Sequence, residues 1–307
     1  MSELSIKYQG LEPYIAKEIA FYEDKYFCYD EPVPFCGLLL YPVTLRNYNE
    51  FFSVIDCLTL DKNKTPEGIK YNHLDYMLLQ TVQKEDGVIW SYKFSRLIEL
   101  IFHIQNGIKC KDCGNVISYE SYFKKIEENK DQKDFKLVCN KCSGQNLYEL
   151  IKFESVNQTT KKKMIIDQHE ITSKDYEKLR KIVLFQNLPD YRDDSKVDAR
   201  LKEDYEEKMR LQSKNQGKAT LEKKIIAVAT KTSYKIAELY DMTIRKFSML
   251  LYTLDDVMNY EARKLGMMTG MVSFKEEQEH WIYKKEKDMY GDSYVSPEEI
   301  KDELGKT

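Results

Sequence analysis

Four cysteines set the tightest limit on how this chain can fold. They stand as two Cys-x-x-Cys pairs, Cys110/Cys113 and Cys139/Cys142, within CKDCGNVISYESYFKKIEENKDQKDFKLVCNKC. Each pair follows a short strand-like segment and has a glycine just after it, which reads as a tight turn presenting two sulfurs to one side. Two such turns facing one another place four thiolates at about 2.3 Å from one tetrahedral zinc ion. The spacer of 25 residues exceeds the roughly 15–20 of the commonest spacing. Part of it, 119–128, has helical character, with Tyr119, Tyr122, Phe123 and Ile126 on one side. A different metal is the second reading. Redox chemistry is disfavoured, because a thioredoxin-like site needs one pair near a βαβ pattern. Four thiolates also fill the coordination sphere, so the expected Zn2+ is structural and has no open position for substrate or water.

The stretch 106–150 resembles a zinc ribbon, a family whose members bind nucleic acid or brace protein interfaces. The resemblance carries over only the four ligands Cys110, Cys113, Cys139 and Cys142. Between Gln105 and Lys152 stand nine lysines, seven acidic residues and no arginine, a formal charge of +2. Four thiolates with one Zn2+ return −2, leaving the lobe near neutral. A DNA-reading lobe needs a basic face with arginine contacts, so the charge count favours a structural or protein-binding ribbon.

A chain of 307 residues with 42% hydrophobic content can bury a sizeable core, in two domains or in one with insertions. Its 48 basic and 51 acidic side chains give a net charge of −3, which leaves no chain-wide field to attract phosphates. Twenty-three tyrosines and thirteen phenylalanines, against twelve glycines and seven prolines, favour an aromatic-filled, mostly helical fold. The opening MSELSIKYQGLEPYI has no basic segment followed by an apolar core, so a cytosolic protein is expected. No apolar run approaches the roughly 20 residues that cross a bilayer. The sequons at Asn63 and Asn157 read as chance matches.

No enzyme is expected. Gly217-Lys218-Ala219 and Gly305-Lys306-Thr307 end like P-loops, but Gln212 and Ile300 stand where the first glycine is needed. Gly-x-Gly-x-x-Gly, His-Glu-x-x-His and Gly-x-Ser-x-Gly are absent, and His73, His103, His169 and His280 are scattered. Asp193-Asp194 and Asp255-Asp256 fit exposed caps.

Periodicity predicts a mainly α fold of α+β character: a helical domain with short strands, an inserted zinc ribbon and a C-terminal helical region. The expected parts are an N-terminal α+β domain (1–105), the ribbon (106–150), a strand-helix segment completing the first domain (151–194) and a helical region with a charged arm (195–307). Residues 35–41 read as one buried strand ended by Pro42, with Thr44 capping a helix that runs to Leu58. Residues 69–84 and 93–105 read as two helices parted by Glu85-Asp86-Gly87, with His103 packed inside. After a hairpin near 164–171, Thr172-Ser173-Lys174-Asp175 is a capping-box-like start to a helix that Pro189 closes. The charged stretch 195–216 keeps only a narrow stripe of Val197, Leu201, Tyr205 and Met209, a surface helix. Helices are expected at 221–231 and 234–240, then a long one opened by Asp241-Met242-Thr243 and closed by Gly266, with a short strand at 271–274. Methionines 242, 249, 258, 267, 268 and 271 surround the long helix, and His280-Trp281 is a candidate docking point.

Three stretches carry a further resemblance: GLLLYPVTLRNYNEFFSVIDCLTLDKNK, ITSKDYEKLRKIVLFQNLPDY and DMTIRKFSMLLYTLDDVMNYEARKLGMMTGMVSFKEEQEHW. They resemble the tail-gene products of bacteriophages of Gram-positive hosts, particularly tail assembly chaperones and baseplate-associated proteins. A zinc ribbon is not a usual part of that pattern. The resemblance implies a non-enzymatic protein acting through contacts with other phage tail or baseplate proteins, such as a tape measure, hub or tail tube. It would work in the host cytoplasm during assembly or in the virion tail. The alternative is a nucleic-acid-binding or transcription-associated zinc-ribbon protein, supported by the four cysteines and Lys161-Lys162-Lys163.

Overall fold

A computed structural model of the chain describes residue 8 and residues 11–62, 68–82, 86–128, 138–155, 162–193, 199–213, 219–270 and 280–283. It is mainly α-helical with short strands and small sheets, the class the periodicity predicts. The chain forms two compact units, one of Ile19–Asn187 and the other of Met1–Glu18 with Leu188–Thr307. Helix α1 (Pro13–Lys25) contains the boundary.

In the unit Ile19–Asn187, the single strand expected at 35–41 is instead a hairpin of β1 (Val33–Phe35) and β2 (Leu38–Leu40), with Val33 opposite Leu40. Its two-residue turn places Cys36 and Gly37 at φ +47° and +79°, the left-handed backbone that matches strand twist in such turns. A Cβ on Gly37 would also run into the His169 ring. The helix expected up to Leu58 divides into a 3-10 turn, Leu45–Asn47, then α2 (Tyr48–Val54) and α3 (Asp56–Thr59), which bury Leu45, Phe51, Val54 and Leu58.

Helix α4 (His73–Thr81) is capped by Asn72, whose Oδ1 accepts the Asp75 N–H at 2.8 Å. Helix α5 runs from Gly87 to Phe102, starting six residues earlier than expected. Gly87 is its first residue and no spacer: it is buried, and a Cβ there would strike the Thr81 carbonyl at the end of α4. His103, expected to be packed, is exposed in the left-handed position after α5, its ring stacked 4.0 Å from that of Tyr41.

Two three-stranded antiparallel sheets follow. The first has the order β4-β3-β5, from β3 (Gly107–Cys110), β4 (Val116–Ser118) and β5 (Leu147–Glu149), with α6 (Tyr119–Glu128) after β4. The second has the order β6-β7-β8, from β6 (Ile151–Ser155), β7 (Lys162–Ile166) and β8 (His169–Ile171). The expected capping box is present at the start of α7 (Ser173–Asn187). Asp175 Oδ2 accepts the Thr172 N–H at 3.0 Å while Thr172 Oγ1 accepts the Asp175 N–H at 3.3 Å.

Every residue of α7 from Leu179 to Asn187 is buried, including four polar ones. Such groups persist only where hydrogen bonds replace lost water. Arg180 Nε donates to the Leu58 carbonyl at 2.6 Å, and Gln186 Nε2 donates to the Leu40 carbonyl at 3.2 Å. Asn187 accepts the Val43 N–H at 2.7 Å and donates to the Val183 carbonyl at 2.9 Å. Tyr176, also buried, donates its hydroxyl to the Cys57 carbonyl at 3.1 Å. His73 of α4 pairs with Glu177 of α7, which Arg180 also contacts at 3.0 Å.

In the other unit, α8 (Ala199–Ser213) is the charged surface helix expected, with Leu201 and Tyr205 half-buried and Met209 exposed. Helix α9 (Leu221–Lys231) packs against α10 (Ile236–Asp241) and α11 (Ile244–Met268), burying Ile225, Val228, Leu239, Ile244 and Phe247. Thr220 and Thr243 cap α9 and α11 through their side-chain oxygens. Gly266 does not end α11: the helix continues through two methionines, and Gly270 at φ +69° supplies the left-handed turn. His280 lies 5.0 Å from Tyr260, ahead of a 3-10 turn at Trp281–Tyr283. The strand expected at 271–274 lies outside the described residues.

Replacing Asn187 by Ala strands the Val43 N–H in the core. We expect a loss of about 1–3 kcal/mol in urea unfolding; an unchanged midpoint would show that water reaches that amide.

The α4–α7 pair predicts a pH profile. Burial, assisted by Arg180, holds His73 below its ordinary 6.5 and therefore neutral in the fold. The unfolded chain then takes up the proton first, so stability is full above 6.5 and falls as pH drops beneath it. Burial pushes Glu177 up, but the His73 hydrogen bond and Arg180 outweigh it and hold the carboxyl at about 2. A second loss follows as pH falls from 4.5 towards that value. Urea midpoints measured against pH should show both steps, and His73→Gln should remove the first and, by withdrawing the imidazole from Glu177, alter the second.

Candidate metal centre

The two Cys-x-x-Cys turns face one another. Cys110 ends β3, and the turn after it closes through Gly114 N–H to the Cys110 carbonyl at 2.9 Å, with Gly114 at φ +72°. The second turn repeats the bond, Ser143 N–H to the Cys139 carbonyl at 2.9 Å, but here Ser143 takes the left-handed position at φ +58°. Gly144 serves a different purpose: a Cβ on it would collide with the Asp112 carboxylate of the first turn and lie 3.2 Å from Cys142 Sγ. The turns are joined by Lys111 N–H to the Asn146 carbonyl at 2.8 Å and by Asn146 Nδ2 to Asp112 Oδ1 at 3.0 Å.

This arrangement brings together all four cysteines singled out in the sequence. Cys110 Sγ lies 3.6 Å from Cys142 Sγ, Cys113 Sγ lies 3.5 Å from Cys139 Sγ, and all four sulfurs fall within 4.8 Å of one another. A tetrahedron with metal–sulfur bonds of about 2.3 Å has edges of roughly 3.8 Å, so the set fits one tetrahedral ion. Cys110 and Cys139 are buried, Cys113 is half-buried and Cys142 faces solvent.

Charge explains why a cation belongs here. Backbone N–H groups of Lys141 and Cys142 bring the Cys139 thiol down to about 6. Cys142 receives an N–H from Gly144, yet the crowding thiols drive it up to about 12. Four sulfurs this close cannot all be thiolates without a positive charge among them. Among the described residues no histidine or carboxylate forms a second metal-holding group, and Cys28, Cys36 and Cys57 stand apart from the cluster.

The lobe is fastened to the neighbouring sheet. Leu150 N–H donates to the Gly107 carbonyl at 2.9 Å, and Asp167 N–H donates to the Leu150 carbonyl at 2.8 Å. The Asp167 carboxylate accepts Lys109 Nζ at 2.8 Å and the Tyr148 hydroxyl at 2.6 Å. Burial raises its pKa, but these two donors outweigh burial and hold it below the ordinary carboxylate value. Asp167 turns the β7–β8 hairpin at φ +44°, and nothing in the sequence marks it as a clamp. Lys163, part of the basic run read from sequence, is paired with Glu170 at 2.8 Å and with Glu154 at 3.7 Å. Lys161 lies outside the described residues. Among the described residues, no helix is long and apolar enough to cross a membrane.

Residues 212–286 match the family model described as YomV second domain. The match spans α9, α10, α11 and the turn at Trp281–Tyr283. No curated protein and no solved structure matches the chain.

Cys139→Ser removes a buried member of the four-sulfur set and should lower bound metal steeply. Limited proteolysis should then cut first within 106–150. Full protease resistance across that segment in the variant would show that the lobe holds together without the ion.

Proposed function

We propose that this chain is a non-enzymatic bacteriophage tail or baseplate protein, acting in assembly or as a structural component through protein–protein contacts, with one structural Zn2+ on Cys110, Cys113, Cys139 and Cys142. It would act in the host cytoplasm during assembly and could remain in the virion tail. The observation that carries the reading is an overlap: the YomV second domain match, residues 212–286, contains the whole of the third stretch that resembles phage tail proteins, which begins at Asp241 and ends at Trp281.

The site's chemistry supports a bracing role for the ribbon. Soft thiolates in a tetrahedral set favour Zn2+, and four protein ligands close it to substrate. The lobe's near-neutral charge and the pairing of Lys163 with carboxylates speak against a phosphate-binding face. Contact surface is available on α8 and on the distal part of α11, where Met258, Leu265 and Met268 are exposed. Methionine adapts to uneven partners.

Two measurements test the reading. Co-expression with phage tape-measure, hub and tail-tube proteins should give a complex on size exclusion, and metal analysis should give one zinc per chain. Stable retention on DNA or RNA with a steep loss as salt rises, and no complex with tail proteins, would overturn it in favour of a nucleic-acid-binding ribbon.

A further inference from the structure

The turn after the first cysteine pair carries a residue that reaches the second. Asn115 accepts the Cys110 N–H on its carbonyl at 2.9 Å, and its side-chain Nδ2 lies 3.8 Å from Cys139 Sγ, across 24 positions of sequence. Cys139 Sγ also receives the Lys141 N–H at 3.4 Å. On the other side of the cluster the Asp112 carboxylate stands 4.0 Å from Cys110 Sγ. Four thiolates and one divalent cation leave two negative charges, and Asp112 adds a third. Each sulfur therefore gains from any donor aimed at it, since an N–H directed at a thiolate offsets charge that the ion does not cancel. Among the described residues, Asn115 is the one side-chain amide bonded to a sulfur of the cluster.

Resting on the zinc reading above, we propose that Asn115 is an outer-sphere positioning residue for the metal: its amide N–H holds and partly neutralises the buried Cys139 thiolate and so raises zinc affinity. The orientation follows from charge. The amide presents nitrogen to the sulfur, because its carbonyl oxygen there would be repelled. Asn115 also joins the two turns directly, its main chain bonded to the Cys110 turn and its side chain to the Cys139 turn. The backbone part uses the Asn115 carbonyl as acceptor, which the replacing residue also has, so the side-chain contribution can be isolated.

The experiment uses the full chain with Asn115→Ala and Asn115→Asp. Zinc affinity is read by competition with a chromophoric chelator, and the thiolate-to-metal charge-transfer band is read after loading with Co2+. Outer-sphere partners of metal ligands typically contribute about 10–100-fold in affinity. We expect Asn115→Ala to lie near the lower end of that loss with a shifted Co2+ band, and Asn115→Asp, which places a carboxylate against the thiolate, to lose more. Equal losses in the two variants with an unshifted band would reduce Asn115 to a turn residue and overturn the proposal, as would wild-type affinity in Asn115→Ala. A wild-type chain that binds no zinc would instead overturn the zinc reading on which the proposal rests.

Discussion

Helix α7 is the element on which the unit Ile19–Asn187 depends, because its last nine residues have no solvent-facing side. Burying a helix all round usually calls for an apolar sequence. Here Arg180, Lys181, Gln186 and Asn187 go in with it, so its neighbours must supply hydrogen bonds at fixed places. The backbone around it answers that demand. The carbonyls of Cys57 and Leu58 accept Tyr176 and Arg180, while Leu40 and Val43 meet Gln186 and Asn187. Apolar packing alone would let α3 or the β1–β2 hairpin slide by a residue at modest cost. These polar bonds set the register, since each slip would strand a buried donor or acceptor.

From this frame the ribbon is reached through short links. Helix α7 follows β8 directly, β8 and β7 turn at Asp167, and Asp167 grips Lys109 and Tyr148 of the β4-β3-β5 sheet. The Leu150 links to Gly107 and to Asp167 make the two small sheets continuous at one point. A metal turn held this way transmits its order inward. Structural zinc contributes on the order of 10–16 kcal/mol to folding in small metal domains. Among the described residues the lobe's own buried apolar core is Ile108, Ile117, Leu150 and the two buried cysteines, so an ion held by the four thiolates would supply much of its order.

Much of this was legible in the sequence where one local rule acts alone. The cysteine spacing identified all four members of the cluster, because ligand identity and turn length are encoded together. The Thr172 capping box and the bounds of α9 were legible for the same reason: a side-chain oxygen and an apolar period settle each. The misses share another cause. Residues 35–41 look like one strand because Cys36 disguises a left-handed turn that Gly37 and the His169 ring complete from far away in sequence. Gly87 looks like a breaker, yet it admits the end of α4 to close contact. Gly266 has a neighbour in Gly270 that serves the same function two methionines and a threonine later. Asn115 and Asp167 were invisible because their work is done across 24 and 58 positions respectively.

The distribution of order bears on function. Polar bonds fix α7, the hairpins and the ribbon tightly, and the closed thiolate set leaves no coordination position for chemistry. Helix α11 is different: Ile244 and Phe247 anchor its first turns against α9, while its later turns carry exposed Met258, Leu265 and Met268. Exposed apolar side chains recurring along one helix cost solubility unless something covers them. One unit is thus held by buried hydrogen bonds and the four-cysteine cluster, while the other carries a helix whose exposed methionine-bearing turns are the surface that the proposed protein–protein contacts would use.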